Sequence, residues 1–492
     1  MTLSDLALGH RPDGRTALSA RWIVAHENGR HRLLTDGEIV IEGQEVIYVG
    51  PRFPGEVARR IELGDALVSP GFVDLDALSD LDTTLLTVDY GPGWATGRVW
   101  PRSYVERGPY EMYTPEQLVF QKRFAFAQLL LNGITSALPI ASLFYREWAE
   151  TVAEFEGAAD AAGDLGLRVW LGPAYRSGGI VCEAPGELVP VFDEARGLKG
   201  LEDAIAFAGR IAGRHEGLVQ GMLAPDRVET STLALLQRTM AASAEMGLPV
   251  RLHMAQGKME RQTAARLHGA TAPQWMARNG LLNDRLIAPH AVEAEPEDLE
   301  LYARHGVTIA HCPLVYARGG EYLNSFRRCR DLGIRIGMGT DTSPPDMVLN
   351  MAVALMTGRI ASGETGLSTA EVFDAATLGG ADALGRPDIG RLQPGSKADI
   401  AIFDLSDPRF APTVDPVQSL IFGASGRVTR AVFVDGRLSM RDGEVAGIDI
   451  KAVRKEAQAQ FEGLIAKYPE RTWGHPSVET MFPPTYPHWK AD

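Results

Sequence analysis

The sequence predicts an α/β protein: a (β/α)8 TIM-like barrel with a small β-sandwich domain that both chain ends form. The central part of the chain alternates strand-like and helix-like segments, a pattern typical of a closed parallel barrel. Both ends are instead rich in short β-runs, which suggests that they meet in one sheet domain. The 492 residues have room for both units, since such a barrel takes about 250 residues or more.

The β-rich ends predict the domain boundaries. Two β-rich runs surround a glycine turn within 39–49, and residues 397–404 and 428–437 have the same character. The tail is too aromatic for a solvated segment, so we expect it to pack on this subunit or on a neighbour. The expected units are a composite β-sandwich domain from 1–66 and 390–450, a (β/α)8 barrel over 67–389, and a C-terminal helix with an aromatic tail over 451–492.

The barrel strands are predicted from apolar, β-rich runs that helical patterns separate. One helical pattern covers 115–131 and begins with Thr114 as the expected N-cap and Pro115 at the first position. A second helical pattern covers 230–246. The expected strands are 70–76, 133–139, 167–173, 218–224, 249–254, 286–290, 307–312 and 335–340.

Composition and charge exclude several classes of protein. The net charge of −14 argues against a nucleic-acid partner, because phosphate binding needs clustered Lys and Arg. No apolar run approaches the roughly 20 residues that cross a bilayer, and the N-terminus lacks a signal-peptide pattern. Cys182, Cys312 and Cys329 are too few for a disulfide scaffold. We therefore expect a cytoplasmic protein that acts on a small molecule, with no nucleic-acid or membrane partner.

Metal-competent side chains end three of the predicted strands, at the face where barrel enzymes carry their active sites. His253 ends the fifth strand, His290 the sixth and Asp341 the eighth. Two imidazoles and a carboxylate at one mouth can form a divalent metal site with open positions. Alternatively, a strand-end histidine taken alone is more often a hydrogen-bonded structural residue. Asp341 has the further alternative of capping a helix that begins near Pro344.

Other side chains near the predicted mouth have two interpretations each. His311, at the end of the seventh strand, is either a substrate contact or a group behind the ligands. Arg176 either binds a substrate carboxylate or pairs with an acidic residue. A long aromatic segment after the first strand either roofs a pocket for an apolar or aryl substrate or packs against the barrel rim; its aromatic residues are Trp94, Trp100, Tyr104, Tyr110 and Tyr113.

Four motifs make the chain resemble the amidohydrolase superfamily, in its branch of deaminases and triazine-type hydrolases. One motif opens the barrel, two form its last two strands, and one marks the return to the β-domain. The motifs are SPGFVD at 69–74, AHCP at 310–313, GIRIGMGTD at 333–341 and GRLQPGSKAD at 390–399.

The resemblance implies one divalent metal ion as cofactor, which activates water for attack on a carbon that bears nitrogen or another leaving group. It gives His253, His290 and Asp341 the places of the site residues of strands five, six and eight. The expected ion is zinc, with cobalt, manganese or iron as alternatives. The fourth predicted strand, 218–224, has no lysine that could bridge two metals, so one ion is expected.

Two departures from the family pattern change the expected site. Where the family has His-x-His after the first strand, this chain has Asp76-Ala77-Leu78, so Asp76 is the expected replacement ligand. Where deaminases of the branch have a glutamate, this chain has Gln256. An amide cannot shuttle protons, but it can hydrogen-bond a substrate or an incoming water.

The segments 75–82 and 172–179 resemble those of a smaller subgroup, which includes phenylurea hydrolases and molinate hydrolase. This resemblance implies hydrolysis of the C–N bond of a urea, carbamate, thiocarbamate or amide. It leaves open whether Asp76, Asp80 or Asp82 replaces the missing ligands.

These observations give a working hypothesis for the site, in which Asp341 takes the proton of the attacking water and passes it to the leaving nitrogen. Two other hypotheses stay open: a heteroaromatic deaminase or dechlorinase of the same superfamily, and a non-catalytic binding protein on a degenerate barrel. A homo-oligomer is expected, as is frequent in the family. The expected metal ligands are His253, His290, Asp341 and Asp76; the expected catalytic residues are Asp341, His290 and Gln256; the expected substrate contacts are Gln256, His311, Tyr175, Arg176 and Trp100.

Overall fold

The computed structural model of the chain contains one large parallel sheet, one large mixed sheet and a small three-stranded sheet. The residues that it describes are 2–91, 99–107, 111–140, 148–185, 187–323, 326–363 and 366–489. The strands, in chain order, are β1 (Thr16–Glu27), β2 (Arg30–Glu42), β3 (Glu45–Gly50), β4 (Arg59–Glu62), β5 (Ala66–Pro70), β6 (Phe72–Ala77), β7 (Trp100–Pro101), β8 (Ile134–Pro139), β9 (Arg168–Leu171), β10 (Gly178–Ala184), β11 (Glu187–Phe192), β12 (Val219–Gly221), β13 (Val250–Arg251), β14 (Leu286–Pro289), β15 (Thr308–His311), β16 (Ile336–Met338), β17 (Ile400–Asp404), β18 (Thr429–Val434), β19 (Arg437–Arg441) and β20 (Glu444–Val445). The helices are α1 (Arg102–Arg107), α2 (Pro115–Leu131), α3 (Val152–Leu165), α4 (Glu194–Ile211), α5 (Leu233–Met246), α6 (Lys258–His268), α7 (Ala272–Arg278), α8 (Pro296–His305), α9 (Pro313–Arg318), α10 (Phe326–Asp331), α11 (Met347–Ser362), α12 (Thr369–Asp374), α13 (Gly380–Ala383), α14 (Pro416–Gly423), α15 (Arg454–Lys467) and α16 (Val478–Met481).

The parallel sheet is a barrel of eight strands in the order β12-β9-β8-β6-β16-β15-β14-β13. A parallel bridge between Leu223 and Val250 joins its two edges. The amide of Leu223 donates to the carbonyl of Pro249, and the amide of Arg251 donates to the carbonyl of Leu223, both at 3.0 Å. All eight predicted strands are present, and seven of them lie wholly inside their predicted ranges. The predicted TIM-like architecture is therefore confirmed.

The two helices predicted in detail are both present. Helix α2 has its predicted bounds, and the hydroxyl of Thr114 accepts a hydrogen bond from the amide of Gln117 at 3.3 Å. Helix α5 begins at Leu233 rather than at residue 230, because Val228–Thr230 form a 3-10 turn and Thr232 caps the helix. This difference matters for the site, because the 3-10 turn then lies at the mouth of the barrel.

The mixed sheet combines strands from both chain ends. Its path is β20-β19-β18-β17-β5-β1-β2-β3, with β4 beside β1. The two ends meet where β5 and β17 pair antiparallel, with Val68 opposite Ile402. A separate apolar core lies on this sheet and includes Leu18, Ile39 and Phe433. The predicted meeting of the chain ends is confirmed, whereas the sandwich arrangement and the domain boundaries at 66, 390 and 450 stay predictions.

A buried ion-pair cluster fastens this terminal sheet to the barrel. Arg168 begins the barrel strand β9, and its Nε lies 3.1 Å from Oδ2 of Asp399. Its Nη2 lies 2.6 Å from Oδ1 of Asp435. Each of the three side chains is 1% exposed. Asp399 precedes β17 and Asp435 follows β18, so the cluster joins the two sheets.

Replacing Arg168 by Met is expected to lower the free energy of unfolding by about 3–5 kcal/mol, because two buried carboxylates would lose their cation. Urea unfolding followed by circular dichroism measures the change. The matched control is Arg409→Met, which removes the exposed ion pair with Asp407 and is expected to cause no resolvable change. Equal changes in the two variants would contradict a stabilising role of the buried cluster.

The aromatic tail divides into a packed part and an exposed part. Met481 and Phe482 pack in one cluster with Tyr113 and Leu464. Trp489, by contrast, is 94% exposed. The first part of the tail therefore packs on its own subunit, as expected, and the homo-oligomer stays a prediction.

Two expectations from composition concern the environment of the protein. Within the described residues, no helix combines the length and the apolar character that a membrane span needs. The three cysteines are all buried and form no disulfide. The cytoplasmic location stays a prediction.

Candidate metal centre and active-site cavity

Three side chains at the carboxyl ends of barrel strands converge on one point. Asp76 is the last residue but one of β6, and His253 and His290 follow β13 and β14. Each offers one ligand atom, and the three atoms lie within 4.8 Å of one another. The Oδ2 of Asp76 is 4.0 Å from Nε2 of His253 and 3.9 Å from Nε2 of His290. The three residues thus form a possible site for a metal ion.

The orientation of His253 suits a metal ligand. Its Nδ1 lies 2.8 Å from the backbone carbonyl oxygen of Asp226. Because a carbonyl only accepts hydrogen bonds, Nδ1 carries the proton and Nε2 keeps its lone pair. That Nε2 is the atom that faces Asp76.

His290 has two buried ring nitrogens that are available for a further contact. Its side chain is 1% exposed, and neither ring nitrogen has a hydrogen-bond partner among the described residues. Burial, together with the charge of Arg227, lowers the pKa of His290 well below its usual value, so the ring is neutral. Its φ of 77° lies in the left-handed region, where non-glycine residues cluster at functional sites. A buried neutral imidazole with an open Nε2 fits a metal ion.

Asp76 holds the central position of the cluster and is completely buried. Its Oδ2 accepts a weak hydrogen bond from Sγ of Cys312 at 3.6 Å, and its Oδ1 lies 3.5 Å from Nη1 of Arg251. Burial raises the pKa of Asp76 well above its usual value, and Arg251 works in the opposite direction. An additional cation would therefore stabilise the ionised carboxylate.

The hydrogen bonds of the other two candidate acids of this segment go to other partners. Oδ1 of Asp80 accepts hydrogen bonds from the amides of Asp82 and Thr83, at 3.1 and 3.4 Å. Oδ1 of Asp82 accepts a hydrogen bond from the hydroxyl of Tyr113 at 3.1 Å. Of the three acids, Asp76 is the one that the structure brings together with the two histidines.

Asp341 stands at the edge of the cluster rather than at its centre. Its amide donates to the backbone carbonyl of Asp76 at 2.7 Å, and its Oδ2 is 3.8 Å from Nε2 of His290. Burial raises the pKa of Asp341 to about 7. The alternative in which Asp341 caps a helix is wrong, because helix α11 begins at residue 347 and Asp346 caps it. Asp341 thus has a side chain available to the cavity.

The donor set of the cluster is compatible with a divalent ion. Two imidazole nitrogens and one carboxylate oxygen are the ligand types of zinc sites that keep an open position. The neighbouring carboxylate of Asp341 adds a further oxygen at the same mouth. The individual metal and catalytic roles predicted for these residues stay predictions.

A cavity opens directly above the cluster. His253, His290 and Asp341 line it, together with polar groups from the loops around the barrel mouth. The three-stranded sheet β11-β10-β7 contributes one wall, which includes Trp100 and Ile180. The remaining apolar lining consists of Leu86, Val99, Ile140, Met259 and Val315. A polar floor under partly apolar walls is the usual composition of a site for a small molecule.

Three of the five predicted substrate contacts line this cavity: Trp100, Arg176 and Gln256. The guanidinium carbon of Arg176 lies 4.4 Å from the ring centroid of Trp100. A nitrogen of the same guanidinium lies 3.6 Å from a carboxylate oxygen of Asp226. Arg176 therefore pairs with an acidic residue, as the second interpretation of the sequence expects. Oε1 of Gln256 accepts a hydrogen bond from Arg227.

The other two predicted substrate contacts lie behind the cavity lining. The hydroxyl of Tyr175 is 3.0 Å from the hydroxyl of Thr239, and its side chain is completely buried. The ring of His311 packs edge-on against Phe326, with 5.6 Å between centroids. Burial lowers the pKa of His311 to about 3, so this ring is neutral. These placements favour a packing role over the predicted contact with substrate, because both side chains are buried and neither belongs to the cavity lining.

The predicted aromatic roof is divided between the cavity and the core. Trp100 lines the cavity, and the ring of Tyr104 packs behind it at a centroid distance of 5.3 Å. Tyr113 belongs to the cluster that receives the C-terminal tail. Trp94 and Tyr110 lie outside the described residues.

Sequence reasoning missed several side chains of the cavity, among them Arg227, Glu229 and Tyr316. The first two follow the fourth barrel strand, within the segment Pro225-Asp226-Arg227-Val228-Glu229. Their position after a strand end is the signal that would have placed them at the barrel mouth. Tyr316 packs on His290, with 4.9 Å between ring centroids, and sequence pattern gave no signal for it.

Comparison with protein-family models finds one that covers most of the chain. The model described as "Amidohydrolase family" matches residues 68–439. That range includes all eight barrel strands and the three residues of the metal cluster.

Curated relatives and solved structures match over nearly the whole chain. A 5-methylthioadenosine/S-adenosylhomocysteine deaminase from Desulfitobacterium hafniense strain Y51 is 26% identical over 90% of this chain and 98% of its own length. The enzyme of the same description from Nitratidesulfovibrio vulgaris strain Hildenborough is 28% identical, over 90% and 96%. An adenosine deaminase from Xanthomonas campestris with bound zinc has a TM-score of 0.74 at 21% identity, over 91% and 97%. A mutant of the atrazine chlorohydrolase TrzN from Arthrobacter aurescens TC1, complexed with zinc and atraton, has a TM-score of 0.74 at 22% identity, over 91% and 100%.

Proposed function

The chain belongs to the amidohydrolase family, whose members are hydrolytic enzymes, and we propose that it uses one divalent ion, zinc, held by Asp76, His253 and His290. The convergence of these three ligand atoms within 4.8 Å carries the proposal. Zinc in the similar structures supports the choice of ion. When bound, such an ion lowers the pKa of a water molecule toward about 7 and polarises the bond to be cleaved.

Asp341 is the residue proposed to move the proton. Its carboxylate lines the cavity and lies 3.8 Å from Nε2 of His290, so it stands beside the place where a water would attack. A carboxylate in this position can accept the proton of that water and then donate it to the leaving group. The contact between Asp341 and the ion that the sequence predicts is kept as part of this proposal.

Gln256 is proposed to orient the substrate. Its side chain lines the cavity and is held by Arg227 and by a hydrogen bond with Tyr316. An amide fixed in this way can direct a donor or an acceptor toward a bound molecule, although it cannot transfer a proton.

The leaving group is proposed to be ammonia or chloride, displaced from a ring carbon of a nitrogen heteroaromatic compound. The deaminases and the chlorohydrolase among the similar proteins support this substrate class. The planar surfaces of Trp100 and Arg176 on the cavity wall suit a flat ring.

Cleavage of the C–N bond of a urea, amide or (thio)carbamate is the second candidate. Gln256 favours it, because this side chain replaces the glutamate that deaminases of the branch use for proton transfer. The resemblance of 75–82 and 172–179 to phenylurea and molinate hydrolases points the same way. A purely binding function is disfavoured by the intact cluster of three ligands.

A product screen of the zinc-loaded protein separates the two candidates. Aminated and chlorinated triazines and purines are assayed for released ammonia and chloride, and aryl ureas, carbamates and amides are assayed for released aryl amine. The first candidate predicts ammonia or chloride, and the second predicts aryl amine. A protein that binds no zinc and releases no product from either panel would contradict the proposed function.

A further inference from the structure

The cavity wall contains a buried carboxyl group that the proposed mechanism does not use. Glu229 lies in the 3-10 turn Val228–Thr230, lines the cavity and is 3% exposed. Its Oε2 has no hydrogen-bond partner among the described residues. A buried polar atom without a hydrogen-bond partner destabilises the ligand-free protein. Such an atom on a cavity wall is therefore a candidate contact for a ligand.

The charged neighbours of Glu229 are committed to other contacts. Glu260 lies beside it, and its two carboxyl oxygens accept hydrogen bonds from the amides of Ala255, at 2.9 Å, and Gln256. Arg227 lies 3.6 Å from Asp226 and donates to the side chain of Gln256. Burial and the nearby Glu260 raise the pKa of Glu229 to about 8, and the charge of Arg227 works in the opposite direction.

We propose that Glu229 binds a hydrogen-bearing nitrogen of the substrate. The enzyme would then select compounds with a free amino or ureido N–H and reject analogues in which that nitrogen is fully alkylated. Oε2 would accept the N–H hydrogen bond, and an N-methyl group would leave this oxygen buried and without a partner. This inference rests on the proposed function, since it takes the cavity above the metal cluster as the substrate site.

The flat wall of Trp100 and Arg176 lines the same cavity as Glu229. A ring on that wall and an N–H on Glu229 would together fix a planar molecule that carries an exocyclic nitrogen. Both candidate substrate classes, the aminated heteroaromatic rings and the aryl ureas, have this combination of groups.

The test compares matched pairs of compounds, one with the free N–H and one with that nitrogen methylated. The pairs are an aminotriazine with its dimethylamino counterpart and an aryl urea with its fully N-methylated counterpart. Dissociation constants are measured by calorimetry on the zinc-loaded protein in the Asp341→Asn background, where turnover is slow. The expected preference for the N–H compound is roughly 10- to 100-fold in at least one pair.

Three variants in the same background identify the origin of that preference. Glu229→Leu removes the acceptor and is expected to abolish the preference, whereas Glu229→Gln keeps an acceptor oxygen and is expected to retain it. Glu245→Leu makes the same change at an exposed position of α5, outside the cavity lining, and is expected to leave the preference unchanged. Thermal unfolding of each variant verifies that the fold is intact.

Two results would overturn the assignment of Glu229. One is a Glu229→Leu protein that prefers N–H compounds as strongly as its parent does. The other is a parent protein that binds both members of every pair equally well or binds neither. Either result leaves the hydrolase proposal intact if the product screen detects turnover, and the failure of that screen is a separate outcome.

Discussion

Replacing Asp341 by Asn is expected to lower kcat by about 10²- to 10⁴-fold, the usual contribution of a positioned acid or base. Asparagine has nearly the same shape but cannot accept a proton from the attacking water. The amide of residue 341 would still donate to the carbonyl of Asp76, so the loop keeps its anchor. The measurement is kcat on the best substrate of the product screen, with zinc content and thermal unfolding determined in parallel.

The control for this variant is Asp407→Asn. Asp407 is partly exposed, pairs with Arg409 and lies outside the cavity lining. It is expected to leave kcat unchanged. If Asp341→Asn retained wild-type kcat with zinc bound, the role of Asp341 in proton transfer would be wrong.

Replacing Asp76 by Asn is expected to weaken zinc binding by more than about 100-fold, the upper end of the effect seen for residues that only support a ligand. Asp76 is the one carboxylate among the three converging ligands, and its charge offsets that of a divalent ion. Turnover should fall with zinc occupancy. Zinc content after dialysis against a weak chelator measures the affinity, and activity at saturating zinc shows whether occupancy alone explains the loss.

The matched control is Asp80→Asn, four residues further along the same segment. Asp80 binds the amides of Asp82 and Thr83 rather than facing the two histidines. The Asp80→Asn protein is expected to retain its zinc. A loss of zinc from the Asp80 variant, with zinc retained in the Asp76 variant, would reverse the assignment of the ligand.

The barrel could be predicted from the sequence because each strand is a short apolar run set between helical patterns. The same reasoning placed His253 and His290 correctly, since residues that follow barrel strands meet at one face. Helix α2 was predictable to the residue because Thr114 and Pro115 give its start an unambiguous local signal.

The choice among the acids after the first strand depended on contacts that are distant in sequence. Asp82 accepts a hydrogen bond from Tyr113, and Asp76 accepts one from Cys312. Tertiary structure therefore decides which carboxylate faces the histidines. No local pattern distinguishes acids that lie so close together along the chain.

Tyr175 and Glu229 show a second limit of sequence pattern. The first lies in a motif that suggested substrate binding, yet it packs in the core through Thr239. The second had no motif, yet it lines the cavity, and its Oε2 has no hydrogen-bond partner in the described part of the chain. Burial and the direction of a side chain decide such cases, and both depend on the packed loops.

The central claim is that Asp76, His253 and His290 hold one divalent ion. Diffraction data collected on both sides of the zinc absorption edge, from crystals of the zinc-loaded protein, test it most directly. A single anomalous peak is expected among the three side chains, next to Asp341. An absent peak at this position in crystals that contain zinc, or a peak bound by other residues, would contradict it.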